Sequence, residues 1–169
     1  AVLIAAVVVA ALWFFYLRES TPPSQEIVSN ERMASALSDK PSIAVLPFVD
    51  LYKDPEQENL SDGFTSNIIT NLSKFKGLFV ISHNRMLAYK GRPVRVKDLR
   101  QELGVQYVVE GSVRQAGDKV RIYVQLMDIE GRRLWAETYD RNLADLAVAQ
   151  DEIVQKIATL MAVKREVAE

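Results

Sequence analysis

Apolar and polar positions along the chain fall into three regimes. Residues 1–17, AVLIAAVVVAALWFFYL, carry no charged side chain, and Arg18 ends the run. At about 1.5 Å per helical residue this run reaches roughly 26 Å, slightly short of the ~30 Å hydrocarbon core of a bilayer. Trp13, Phe14, Phe15 and Tyr16 gather next to Arg18, as aromatic and basic residues do at a membrane–water boundary. The expected element is one transmembrane helix that begins upstream of Ala1. A signal peptide and a buried core helix are the competing readings, but no small-x-small cleavage site follows the run directly. Residues 18–41 then lose periodicity. TPPS at 21–24 cannot continue a helix, and the stretch reads as a flexible tether with room for a short helix around 25–37.

From Ser42 the pattern becomes that of a folded domain. Residues 43–48, IAVLPF, are apolar on both faces, as in a central strand covered on both sides. Pro47 lacks a ladder donor, so pairing is expected to end there. A polar loop over 49–59 precedes a helix capped by Ser61, with Phe64, Ile68, Ile69, Leu72 and Phe75 as its stripe. Gly77 ends it, and 78–81, LFVI, reads as a second buried strand, which makes a parallel βαβ unit. After an irregular stretch over 83–93, a helix over Val96–Leu103 points Val96, Leu99 and Leu103 inward, with Gly104 as its left-handed cap. Strands at 105–115, 119–128 and 133–139 follow, separated by turns at Gly117 and Gly131. In the second of these, Val120, Ile122, Val124 and Leu126 alternate with Arg121, Tyr123, Gln125 and Met127, the signature of an antiparallel meander with one wetter face. A helix from about 143 closes the chain, still helical in pattern where the sequence stops. The reading is an α+β fold with a single mixed sheet, β-α-β-α-β-β-β-α, preceded by one transmembrane helix. Its parts are 1–17 anchor, 18–41 tether, 42–141 domain, and 142–169 helix leading to a missing downstream region.

Composition narrows the function classes. The net charge is −1, so no overall basic field draws the chain to nucleic acid. The chain has no cysteine and one histidine, His83, which removes disulfides, thiolate metal sites and multi-histidine clusters. Between Arg18 and Lys40 acids outnumber bases, so this flank is not of the basic cytoplasmic type, although orientation needs the other flank as well.

Several blocks in fixed order resemble the TolB-like amino-terminal domain of bacterial membrane-bound adenylate cyclases and winged-helix regulators. They are KPSIAVLPF at 40–48, DPEQE at 54–58, LSDG at 60–63, IITNLS at 68–73, YKG at 89–91, ELGVQYVVEGSVR at 102–114 and LWAETYDR at 134–141. The resemblance covers residues 41 to about 141. It implies a cytoplasmic output domain upstream, either a class III nucleotide cyclase or a winged helix. A single span into the inner membrane of a bacterium would follow, then this domain on the periplasmic side and tetratricopeptide repeats downstream. His83 departs from the Arg that the family pattern implies there, so no permanent cation is fixed at that position.

Candidate chemistry is sparse. Phe48, Val49 and Asp50, with Asp62, Gly63, Phe64 and Thr65, look like a cyclase metal motif. The second carboxylate, the transition-state Arg and Asn, and the purine-reading pair are not found. Asp50, Asp54, Glu56, Glu58 and Asp62 form an acidic cluster without the spacing of an EF-hand loop, so a solvated loop is the expectation. His83, in a polar loop, is expected to make surface hydrogen bonds, a pH-sensing role being the alternative. Arg85, Tyr89, Lys90, Arg92 and Arg95, with Lys97, form the one basic stretch. It is the candidate interaction surface, for a protein or for lipid head groups. Trp135, Glu137 and Tyr139 share one sheet face by parity, and both aromatics are expected in the core. No catalytic residue, metal site or cofactor site is expected. The expected partners are the bilayer, the upstream and downstream parts of the same polypeptide, and a protein partner or second copy. The expected function is a non-catalytic, membrane-tethered sensory or interaction domain in signal transduction. A TolB-like envelope transport or assembly component is the alternative, and cyclase activity in this chain is a remoter one.

Overall fold

Four consecutive buried residues, Ser42–Val45, form strand β1, and both its faces are covered. The computed structural model of the protein describes residues 40–50 and 55–168, which belong to one compact unit, Leu37–Glu169. The apolar run 1–17 and the tether up to 39 lie outside the described residues. Among the described residues, no helix is long and apolar enough to cross a membrane.

Helix α1 (Pro55–Leu72) follows β1. Its start corrects the expected one at Ser61. Proline is well placed at a first helical position, where its missing N–H has no partner to lose, so residues 55–60 are helix rather than loop. Ser61 is instead inside the helix and 1% exposed, and its hydroxyl has no hydrogen-bond partner among the described residues. The chain returns through β2 (Phe79–Val80), which pairs in parallel with β1 as Ser42↔Phe79 and Ile43↔Val80. This strand is shorter than the expected 78–81 and only half-buried, because it is the sheet's edge rather than a central strand. Helix α2 (His83–Met86), a 3₁₀ turn (Leu87–Tyr89) and helix α3 (Val96–Leu103) fill the second crossover. Gly104 ends α3 with φ 67°, and its N–H returns to the Arg100 carbonyl, as its position implied.

Strands β3 (Tyr107–Ala116), β4 (Lys119–Asp128) and β5 (Arg133–Asn142) form the meander. The strand order is β2-β1-β3-β4-β5, parallel across the first three strands and antiparallel across the last three. β3 starts at Tyr107 rather than at 105, because the Gln106 N–H goes to the carbonyl and hydroxyl of Ser42. β5 runs three residues past the expected Tyr139, held by pairing as far as Lys119↔Asn142. A 3₁₀ turn (Leu143–Asp145) then leads into α4 (Leu146–Ala168).

The alternation on β4 sorts the sheet's faces. Val120, Ile122, Val124 and Leu126 are all 1% exposed or less and lie on the face covered by α1 and α4. Ile153, Ile157 and Met161 of α4 and Phe64, Ile68 and Leu72 of α1 complete that layer. A right-handed second crossover carries α3 to the opposite face, where Ala44 and Val108 are also fully buried. Beyond them the outer face of β3, β4 and β5 carries Glu110, Arg121, Tyr123, Thr138 and Asp140, none of them buried.

Candidate functional site

The connections leaving β1 and β2 diverge to opposite faces of the sheet at the carboxyl end of β1, the place where open α/β sheets form a crevice. Here the backbone makes a local detour. The Leu46 N–H donates to Val109 O at 2.9 Å, and Pro47 has no N–H to give. The Phe48 N–H donates to Thr65 Oγ1 at 2.9 Å, and that hydroxyl donates onward to Ser61 O at 2.8 Å. Val49 then rejoins β3: its N–H donates to Gly111 O at 3.0 Å and its carbonyl accepts from Val113 at 3.2 Å. Pro47 therefore interrupts pairing rather than ending it.

The detour lays the Phe48 ring over Gly111 and against Phe64, whose ring centroid is 5.0 Å away at 57°. A Cβ on Gly111 would stand 2.5 Å from Phe48 Cε1 and 2.2 Å from Tyr123 O, so this position admits glycine alone. The letters that look like a cyclase motif thus have packing roles: Phe48 and Phe64 pack ring on ring at a tilt, and Thr65 caps a backbone amide. Among the described residues no three His, Cys, Asp or Glu side chains are placed to hold a metal ion.

Above this point a groove of about 540 Å³ opens on the outer face of the sheet. One wall is Leu46, Pro47 and Val49, the other is Tyr89, Arg92 and Val94, and Glu110, Ser112 and Tyr123 form the floor. Val49 is 55% exposed there. The floor is tied together by hydrogen bonds. Tyr123 Oη donates to Gln125 Oε1 at 2.9 Å, Gln125 Nε2 donates to Glu110 Oε1, and Arg133 Nε reaches Gln125 Oε1 at 3.0 Å.

Of the predicted interaction residues, the fold brings Tyr89 and Arg92 to the groove and gives the other three different tasks. Lys90 crosses to α1, with Nζ 2.6 Å from Asp62 Oδ2 and 2.7 Å from Glu58 Oε1. These two hydrogen bonds, Asp62 first and Glu58 second, raise its pKa. Tyr89 Oη donates to Glu102 Oε2 at 2.5 Å, and burial followed by this carboxylate raises its pKa. Arg85 donates to the Glu102 carbonyl at 3.3 Å, and Arg95 pairs with Asp98 at 2.9 Å. Arg92 Nη1 donates to Ala88 O at 3.2 Å. Glu58 and Asp62, read from sequence as solvated acids, are therefore the clamp for the loop that walls the groove. The signal was available as two clusters of opposite charge, one at a helix start and one in a loop. His83 opens α2 and is half-buried.

A second, more polar depression of about 450 Å³ lies at the far end of the hairpins, lined by Arg114, Lys119, Arg121, Asp140, Arg141 and Asp145. Arg121 grips Asp140 with two bonds, at 2.6 and 3.1 Å, and this contact lowers the Asp140 pKa. At the opposite turn Asp128 accepts from the N–H groups of Glu130 and Arg132 and from the Arg132 guanidinium at 2.7 Å. Burial opposes its charge, but these donors outweigh burial and hold its pKa below the ordinary value.

Residues 38–156 match the family described as the HilA/YgeH-like transcriptional regulator, second domain. The chain belongs to that family. It is also 51% identical over 126 residues to Putative adenylate cyclase 3 of Rhizobium meliloti (strain 1021), which covers 74% of this chain and 22% of that relative. The chain thus spans about a fifth of that relative's length. Among solved structures it is similar to TolB from Acinetobacter baumannii, with TM-score 0.51 and 21% identity over 72% of this chain and 28% of TolB. Lipoprotein GNA1162 from Neisseria meningitidis aligns with TM-score 0.48 and 21% identity over 70% of this chain and 99% of its own. The domain is TolB-like in fold, as its sequence blocks implied.

Proposed function

We propose that this chain is the non-catalytic, membrane-tethered input module of a signalling protein, passing a signal to a cyclase or transcription domain elsewhere in the same polypeptide. The observation that carries this reading is the pairing of its relatives. One and the same domain matches a family described as transcriptional regulators and a protein named as an adenylate cyclase. A part common to two outputs of different chemistry performs neither; it supplies what both need upstream of their chemistry. The geometry of the site supports this: its polar groups bind one another, and Phe48, Phe64 and Thr65 are committed to packing. In this reading the run 1–17 crosses the inner membrane, the domain lies on the periplasmic side, and the groove walled by Tyr89 and Arg92 receives the signal.

Two measurements test it. The purified chain in detergent should turn over no ATP to cyclic AMP with Mg²⁺ or Mn²⁺; turnover that disappears in Asp50→Ala overturns the non-catalytic assignment. Reporter fusions after Glu169 should be active as alkaline phosphatase and silent as β-galactosidase. The reverse pattern places the domain in the cytoplasm and removes the sensing role across the membrane.

A further inference from the structure

The two edges of the sheet are unequal. β2 offers two residues, whereas β5 offers ten, RLWAETYDRN, with no Pro and with charges of both signs that only a complementary partner would match. Among the described residues no strand pairs with its outer side. Which groups face outward follows from the ladder. The Leu143 N–H donates to Asp118 O at 2.7 Å, one step beyond Lys119↔Asn142. By antiparallel alternation, Trp135, Glu137, Tyr139 and Arg141 turn their backbone groups toward β4. Ala136, Thr138, Asp140 and Asn142 turn theirs to the open side.

We propose that this edge is a self-association surface, on which β5 of a second copy pairs antiparallel so that Glu137 of each copy faces Arg141 of the other. A strand that pairs with itself about a twofold axis must be self-complementary, and the charges of β5 select the register. Centring the axis on Glu137, Asp140 or Arg141 sets identical charges face to face, which destabilises a cross-strand pair. Centring it on Thr138 faces Glu137 with Tyr139. Centring it on Tyr139 makes two Glu137–Arg141 pairs, and opposes Thr138 to Asp140 and Ala136 to Asn142. The backbone alternation permits this register, since the opposed even-numbered residues are those with outward donors and acceptors.

A second observation points to the same edge. Glu152 of α4 meets Arg141 of β5 at 2.9 Å, while the other flank of α4, at Asp151, Val154 and Gln155, faces α1 across Asn71 and Phe75. Val148 and Val163 share the Glu152 stripe by helical spacing, and they are 55% and 54% exposed. Leu143, at the end of the strand, is 37% exposed. The β5 side of the molecule thus carries uncovered apolar groups of its own, and a twofold neighbour would set the two α4 flanks side by side. This surface is separate from the groove, and the proposal does not depend on which output domain the protein carries.

Light scattering of the full chain in detergent micelles tests the proposal. The wild type should have twice the protein mass of one chain. Glu137→Lys should raise the dissociation constant at least tenfold, and adding Arg141→Glu should restore the dimer by exchanging the pair. Thr138→Pro removes one outward N–H that β4 does not use, so it should give a monomer with an unchanged circular dichroism spectrum. A monomeric wild type, or a dimer that survives Thr138→Pro, overturns the proposal. A dimer lost in Thr138→Pro but kept in Glu137→Lys overturns the register.

Discussion

The parallel part of the sheet, β2-β1-β3, and the antiparallel part, β3-β4-β5, meet on one strand but hold together differently. β1 has all four residues buried and depends on helices from two crossovers to cover it. The hairpins carry their own instructions, since strict alternation on β4 buries Val120, Ile122, Val124 and Leu126 and leaves Arg121 and Tyr123 outward. Adjacent strands joined by tight turns need only local pairing, whereas β1 must find partners far along the chain. The groove opens at the seam between the two. There the segment after β1 and the loop of the second crossover supply the walls, and the outer face of the hairpins supplies a polar floor.

The largest expected break of this contrast is at the seam itself. Gly111→Ala forces a Cβ into the Tyr123 carbonyl and the Phe48 ring, and should cost about 3 kcal/mol or more in urea unfolding. Gly63→Ala is its counterpart on the exposed side of α1, where nothing stands within 4 Å; it should stabilise by about 0.5–1 kcal/mol. Equal effects at the two positions would remove the argument that Phe48 packing sets the seam.

In the parallel part, Leu99→Ala empties a fully buried position and should cost about 2–5 kcal/mol. On the bare face, Thr138→Ala should change stability by less than about 0.5 kcal/mol. Asp128→Asn tests what holds a hairpin turn, and should cost about 1–3 kcal/mol near neutral pH. Because the folded Asp128 carboxyl keeps its charge to lower pH than an unfolded one, its contribution is complete above the ordinary carboxylate range. It is lost as the pH falls through the lowered value, so the variant and wild type should converge in acid.

The alkaline side tests the covered face of the hairpins. Burial, and then the hydrogen bond to Glu137, push the Tyr139 pKa from 10.0 to about 12. Its contribution is therefore complete below pH 10 and disappears as the pH rises toward 12. Thermal melts should show this loss in the wild type, and Tyr139→Phe should lack that component. A small effect of opposite sign is expected at Ser61, whose buried hydroxyl has no partner among the described residues. Ser61→Ala should leave stability unchanged or raise it by up to about 1 kcal/mol, whereas Thr65→Ala, which strands the Phe48 amide, should cost about 1–3 kcal/mol.

What the amino-acid order determined by itself was everything carried by short spacings: the element order, the alternation of β4, the bounds of Val96–Leu103 and its Gly104 cap, and the family blocks. These depend on residues within a turn or two of one another, where sterics and periodicity act without the rest of the chain. The tertiary structure alone decided the strand order and which of the two edges is long. It also decided that Lys90 belongs to Glu58 and Asp62, and that Gly111 lies beneath Phe48. Each of these joins residues separated by long loops, and only the closing of those loops brings the charges and rings within reach. The basic stretch at 85–95 was legible as a cluster, and the Arg95–Asp98 pair is local to the start of α3, but the division of the rest into a clamp, a contact to the Glu102 carbonyl and two groove residues was a product of that closure.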